Sequence, residues 1–191
     1  MLDALLEVDK QLLLWLNGFH APWLDPVIFT LTKTITWLPL YVLLLYFIIK
    51  DYRKESWRVL IMIVVTLLLT EHITSSFMKP YFERLRPSRE PELAGLLHLV
   101  NGYKGGLYGF ASSHAANSFG IAMFFWLMFR KSKSWIWILF TWATLLSYTR
   151  IYLGVHYPGD ILVGAVIGIG CAGLSYYLYN RFLDPLKSTK S

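Results

Sequence analysis

The sequence predicts an all-α integral membrane protein, a helical bundle of about five transmembrane helices with an N-terminal amphipathic helix lying in the membrane interface. Two observations carry this prediction. Of 191 residues, 55% are hydrophobic and only 16% charged, against about 25% charged in soluble domains. The apolar residues also gather in long blocks rather than short alternating runs, and a block of about 20 spans the hydrocarbon of a bilayer. This composition excludes a disordered chain and a disulfide-stapled secreted module. The lone Cys171 lies within an apolar block, so there is neither a disulfide frame nor a cysteine metal site. The net charge of +6 is not a nucleic-acid footprint, because the cations sit at block ends and in two motifs instead of forming a stripe. Residues 1–191 read as a single domain.

In residues 1–18, Leu2, Leu5, Leu6, Leu12, Leu13 and Leu16 recur at helical spacing, while Asp3, Glu7, Lys10 and Gln11 fall largely to the other side. Too interrupted to span, this segment reads as an interfacial helix ended near Asn17-Gly18. It has no basic start and no small-residue cleavage site, so it is not a cleavable signal. Five spans are expected at Val27–Ile49, Trp57–Met78, His114–Phe129, Trp135–Leu153 and Ile161–Tyr179. Trp57, Trp135 and Trp137 sit where a span meets the headgroups. Gly164 and Gly168, with Gly170 and Gly173 nearby, give the last span a small-residue face for close packing. Within the spans, Lys33 is expected to snorkel outward, and Glu71 and His72 to pair structurally inside the bundle.

Ten of the 18 Lys and Arg residues occupy one set of ends: Lys50, Arg53, Lys54 and Arg58, then Arg130, Lys131 and Lys133, then Arg181, Lys187 and Lys190. Of the other eight, Lys79, Arg86 and Arg150 belong to motifs. The bias points the first set, and the C-terminus, into the cytoplasm. The N-terminus and the loop from Pro80 to Ser113 then face outward. Loops of that length are often functional.

Up-and-down spans bring three polar segments to this outer face. The first is Lys79-Pro-Tyr-Phe-Glu-Arg-Leu-Arg86-Pro87, where Pro80 can open a short helix that returns Arg86 to the face of Lys79. The second is Phe110-Ala-Ser-Ser-His114. Ser112 or Ser113 can cap the following helix, whose free N–H groups make a ready anion site. The third runs from Thr149 to Asp160. Pro158 suits the first turn of the last helix, which places Asp160 in that turn, near enough to orient His156 through one ring nitrogen. Charges near an apolar boundary are costly, about 2.5–3.5 kcal/mol at mid-membrane on insertion scales, and are usually retained for a task. Lys79, Arg86 and Arg150 against Asp160 leave the cluster at +2, a match for a phosphate monoester near its dianion. Arg forks and helix N–H groups suit phosphoryl oxygens and hold a five-coordinate transition state more tightly still. Two histidines allow one to attack and one to protonate the leaving oxygen.

These motifs resemble the type 2 phosphatidic acid phosphatase family, which shares its site with the vanadium haloperoxidases. The family pattern is K-x6-RP, then PSGH, then SR-x5-H-x3-D. Lys79 through Pro87 matches the first element in full. Arg150, His156 and Asp160 match the third, with Thr149 in place of Ser. The second matches at Ser112 and His114, with Ala111 for Pro and Ser113 for Gly. The resemblance covers less than half the chain. It implies that His156 is a nucleophile forming a phosphohistidine, that Asp160 orients it, and that His114 is the general acid. It implies that Lys79, Arg86, Arg150, Ser112 and the N–H near Ser113 hold the phosphoryl oxygens, with no metal and no cofactor. If the family Gly needs a positive φ, Ser113 is strained there; the N–H, not the side chain, is expected to be the donor.

The function expected is hydrolysis of a lipid phosphate or diphosphate drawn from the outer leaflet of a bacterial plasma (inner) membrane. Undecaprenyl diphosphate, phosphatidylglycerol phosphate and lipid A 1-phosphate are the candidate substrates. Spare loop cations favour the polyprenyl diphosphate or a broad range. Arg84, Arg89 and Lys104 are those cations, able to meet a second phosphate but ordinarily just solvated. Leu93–Val100 is apolar enough to dip into the interface beside the substrate entrance. Three other functions fit parts of the pattern: a lipid phosphotransferase using the same phosphohistidine, a metallohydrolase with His114, His156 and Asp160 as ligands, and a transporter or channel. The last needs charges spread through the bilayer depth, whereas these gather at one face.

Overall fold

The computed structural model describes residues 2–184. Lys187, Lys190 and the C-terminus, used above for orientation, lie outside the described residues. Within them the protein is helical, with one isolated antiparallel bridge between Leu85 and Tyr108. The elements are α1 (Leu2–Asn17), α2 (Asp25–Leu31), α3 (Leu38–Tyr52), α4 (Ser56–Glu71), α5 (Lys79–Phe82), α6 (Ser113–Phe129), α7 (Ile138–Tyr152) and α8 (Pro158–Leu178). Two stretches, Thr34–Phe82 and Pro158–Leu183, are long and apolar enough to cross a membrane. Val42, Tyr46, Ile61, Val64, Leu162 and Val166 all turn outward and are exposed. Helices apolar on their outer faces as well as their inner ones suit hydrocarbon rather than water.

The bundle is organised around α6, which packs on α4, α7 and, most extensively, α8. The α6–α8 contact is nearly backbone on backbone. A Cβ on Gly168 would lie 2.1 Å from the Ala116 carbonyl oxygen, and one on Gly164 would lie 2.4 Å from that of Ser112. Gly170 and Gly173 face open space instead, so the expected small-residue face narrows to two positions. Away from the polar end, Phe124, Phe125 and Phe129 of α6 meet Leu44, Val59, Leu139 and Trp142 in the main core.

The run Val27–Ile49 is not one helix. Lys33 is extended (φ −79°, ψ 133°), and a 3-10 turn at Thr34–Trp37 precedes α3. Side chains take the carbonyls there: Thr36 Oγ1 donates to Thr30 O at 2.6 Å and Trp37 Nε1 to Leu31 O at 2.7 Å. Pro39, which has no N–H, sits in the first turn of α3, where none is needed. Lys33 is exposed, its Nζ 5.0 Å from the Phe29 ring centre. The second apolar run continues from α4 through a π-helical stretch, His72–Met78, into α5. The last three begin at Ser113, at a 3-10 turn at Ser134, and at Pro158.

The expected return of Arg86 on one helical face does not occur. α5 ends at Phe82 because Glu83 turns left-handed (φ 47°), and Arg86 is extended. The two ends of the loop pair instead: Arg86 N–H donates to Leu107 O at 3.0 Å and Gly109 N–H to Arg84 O at 2.9 Å. Leu93 and Val100 are buried against α1, α2 and α7, while Leu96 is 62% exposed. The two ends of the segment thus pack on the protein, while Ala94, Gly95 and Leu96 face outward. Asn17 pins the end of α1, donating to Ile151 O and Tyr152 O and accepting from His98 N–H.

Gly168→Ala forces a methyl onto Ala116 O and should cost about 1–3 kcal/mol by overpacking, lowering the thermal midpoint in detergent. Gly170→Ala and Gly173→Ala, with space around them, should be neutral or raise stability by up to about 1 kcal/mol. Equal effects at all three positions would contradict the backbone contact.

Candidate active site

Four segments deliver the polar groups to one end of the bundle. On the α4–α5 rod, Lys79 Nζ donates to Ser75 Oγ and to Ser113 Oγ, each at 2.7 Å. The π-helical stretch matters here, since it carries Thr74 and Ser75, both bonded to Ser113 Oγ (2.8 and 2.9 Å). Ser113 therefore holds Lys79 through its hydroxyl, a contact that the sequence reading, which considered its N–H as the donor, did not include. It is also the first residue of α6, and it is not among the residues with positive φ, so no strain arises.

Ser112 is fully buried. Its N–H donates to Asp160 O at 3.0 Å, and its hydroxyl caps α6 through Ala115 N–H at 3.4 Å. That commitment makes Ser112 a support that sets the starts of α6 and α8 side by side. Arg86 Nε donates to Tyr108 O at 3.0 Å. Arg150, 2% exposed, donates through Nη1 to Thr32 Oγ1 at 2.7 Å. The break between α2 and α3 is what leaves Thr32 there. Arg150 Nε is buried without a hydrogen-bond partner, and Arg150 is not among the residues that line the cavity described below.

His156 and Asp160 lie at the start of α8, 1% and 0% exposed. His156 Nδ1 is 3.2 Å from Asp160 Oδ2, which also accepts the Tyr157 N–H at 3.0 Å. The carboxylate thus reaches back to the N–H of the residue before the helix, as the acidic residue of a capping box does, and stays in the first turn, where the helix dipole favours it. Burial, together with Arg86, Arg150 and Lys79, pushes His156 well below its ordinary value. Its ring is thus neutral at physiological pH, and it also bonds to the Gly109 backbone.

Arg84, read as a solvated loop cation, is not one. It donates to Asp160 Oδ1 at 2.8 Å and to Asp9 Oδ2 at 2.7 Å. The missed signal was its spacing: in an extended segment, residues two apart share a face, so Arg84 and Arg86 turn together toward the site. Gly109 was also missed; a Cβ there would lie 3.1 Å from Asp160 Oδ2 and 3.3 Å from Arg86 Cγ. Nothing in its local sequence marks it. Arg89 and Lys104 are exposed. Glu71, expected to pair structurally, has Asn117 Nδ2 at 3.4 Å, and His72 is exposed.

One cavity of about 590 Å³ connects these groups to the apolar part of the bundle. Ser75, Lys79, Arg86, Ser113, His114 and His156 form its polar end, and Leu44, Ile48, Leu60, Leu67 and Phe125 line the rest. Among the described residues, no three His, Cys, Asp or Glu side chains converge as a metal set.

The fold and site define an all-helical protein whose cavity runs from a cationic, histidine-bearing pole into apolar walls. The chain belongs to the PAP2 superfamily, whose model matches residues 57–184. It is 42% identical to a lipid A 4'-phosphatase of Bacteroides thetaiotaomicron over 98% of this chain and 84% of that protein. A second lipid A 4'-phosphatase, from Porphyromonas gingivalis, is 35% identical over 94% of this chain and 77% of its own. Among solved structures, Aquifex aeolicus LpxE superposes with a TM-score of 0.63 at 29% identity, covering 88% of this chain and 94% of that one. A transmembrane PAP2-type phosphatidylglycerolphosphate phosphatase from Bacillus subtilis gives 0.65 at 25%, over 94% and 88%.

Because Ser113 steadies Lys79 through one of two hydroxyl contacts, Ser113→Ala should weaken orthovanadate binding about tenfold, corresponding to roughly 1.5 kcal/mol for one bond to a charged donor. Lys79→Ala should weaken it further. Isothermal titration of the purified protein reads both, and unchanged affinity in Ser113→Ala would remove the hydroxyl from the site.

Proposed function

We propose that this protein is an integral-membrane phosphatase that removes phosphate from a lipid through a phosphohistidine on His156. The observation that carries this reading is a continuous cavity, cationic and histidine-bearing at one end and hydrocarbon-lined along its length. A phosphorylated headgroup on an apolar chain matches both parts. In this reading the free His156 nitrogen attacks phosphorus while Asp160 holds the ring through Nδ1–H. The P–O bond to the lipid breaks as His114 gives its proton to the departing oxygen. Lys79, Arg86 and Arg150 balance the charge of the five-coordinate state. Water, activated by His114, then attacks the phosphohistidine and frees His156 and phosphate. All the charge work falls to side chains, so no metal is required.

The substrate placed first is a phosphorylated lipid A. Two relatives at 42% and 35% identity carry that activity in their names, whereas those named for phosphatidylglycerophosphate and undecaprenyl diphosphate stand at 28% and 33% over less of the chain. The case for a diphosphate also weakens because Arg84, one of the three loop cations, is already paired. Five crossings are proposed: α2 with α3, α4 with α5, α6, α7 and α8. Their basic ends converge, as Lys133 pairs with Asp51 and Arg58 donates to Leu183 O. That supports a cytoplasmic face there and an outward-facing site at the other end.

The test is phosphate release by purified protein from lipid A, phosphatidylglycerol phosphate and undecaprenyl diphosphate, without added acceptor and in excess EDTA. Lipid A should be turned over fastest, at a rate insensitive to EDTA. His156→Gln should be inactive yet folded, and Asp160→Asn should lose activity by about tenfold or more through loss of ring orientation. Undiminished turnover by His156→Gln would end the nucleophile assignment. Loss of turnover in EDTA would favour a metal site, and release only with an acceptor would favour phosphotransfer.

A further inference from the structure

The residues behind Asp160 form a structure that the three motifs do not describe. Asp9, in the middle of α1, uses both carboxylate oxygens: Oδ1 accepts the Gly159 N–H at 2.7 Å and Oδ2 accepts Arg84 Nη2 at 2.7 Å. Arg84 in turn holds Asp160 Oδ1 at 2.8 Å and places its Cζ over the Tyr157 ring, 3.8 Å from its centre. Tyr157 supplies the N–H that fixes the other oxygen of Asp160. A negative group at the first turn of a helix is favoured by the dipole, and Asp9 occupies that place for α8 although it belongs to another helix. Gly159 is what lets it approach, because a Cβ there would lie 2.7 Å from Asp9 Oδ2. The Asp9–Arg84 pair is mostly buried, its side chains 15% and 20% exposed. A pair so placed is held in one geometry by its partners on both sides, unlike a solvated ion pair.

We propose that Asp9 and Arg84 are positioning residues of the active site, and that α1 is thereby a working part of it: Asp9 orients the Arg84 guanidinium, Arg84 fixes Asp160, and Asp160 fixes the His156 ring. Neither Asp9 nor Arg84 lines the cavity, so their effect on the substrate is indirect. The chain of contacts ends at the reacting nitrogen, where a displacement of about 1 Å can cost up to about a hundredfold in rate. This inference rests on the His156 phosphatase reading, and the experiment separates the two.

Asp9→Ala, Asp9→Asn, Gly159→Ala and Asp9→Ala/Gly159→Ala are compared with the parent by kcat, KM and thermal midpoint on the preferred lipid. Asp9→Ala should lower kcat about tenfold or more with KM within about twofold. Asp9→Asn, which can still accept the Gly159 N–H but loses the charge facing Arg84, should fall between parent and Asp9→Ala. Gly159→Ala pushes Asp9 away by another route, so the double variant should be no worse than the poorer single one, the non-additivity expected of one unit. Unchanged kcat in folded Asp9→Ala, a loss confined to KM, or fully additive losses would each overturn the positioning role. If the parent releases no phosphate, or His156→Gln is as active as the parent, the phosphatase reading itself fails, which is a different result from an active parent with an indifferent Asp9.

Discussion

The site depends on how closely α6 and α8 approach. Their backbones meet where Gly164 and Gly168 of α8 face Ser112 O and Ala116 O, and the contact is registered by the bond from Ser112 N–H to Asp160 O. One such bond is worth only about 0.5–1.5 kcal/mol. Its effect is geometric. It sets two helix N-termini side by side at one end of the bundle, so the segment bearing His114 and the one bearing His156 share a cavity wall. A side chain at either glycine would part the helices and move the two imidazoles independently.

Around that contact, the cations are held by different kinds of partner. Lys79 is steadied by hydroxyls on two helices, Arg86 by a loop carbonyl, and Arg150 by Thr32 at the break before α3. All of these partners are uncharged, so none of these bonds neutralises a cation. Arg84 is the exception, neutralised by Asp160 on one side and Asp9 on the other. Burial, with Lys79, Arg86 and Arg150 around it, also keeps the His156 imidazole neutral.

Helix type and most boundaries were legible in the sequence because long apolar blocks have few other uses. The last helix begins at Pro158 and the third block at Ser113, within a few residues of the expected starts. Val27–Ile49 was misread because hydropathy cannot register threonine hydroxyls and an indole competing for carbonyls. Arg86 was placed on a helix face when its neighbourhood is extended, since the bridge to Tyr108 is a long-range pairing with no local signal. The same error hid Arg84. The residues of the three motifs stand out by their spacing, and the structure brings them to one end of the bundle. Asp9 and Thr32 lie far from those motifs in the chain, and only folding shows their partners.

The most direct measurement is the fate of the phosphoryl group during turnover. Protein quenched in alkali while processing its lipid, then mapped by peptide mass spectrometry, reports any phosphoryl-nitrogen bond formed. The result expected is a base-stable, acid-labile phosphoryl group on His156, absent from His156→Gln and retained longer in His114→Ala. A phosphoryl group on His114, or turnover by His156→Gln with no covalent species, would contradict it.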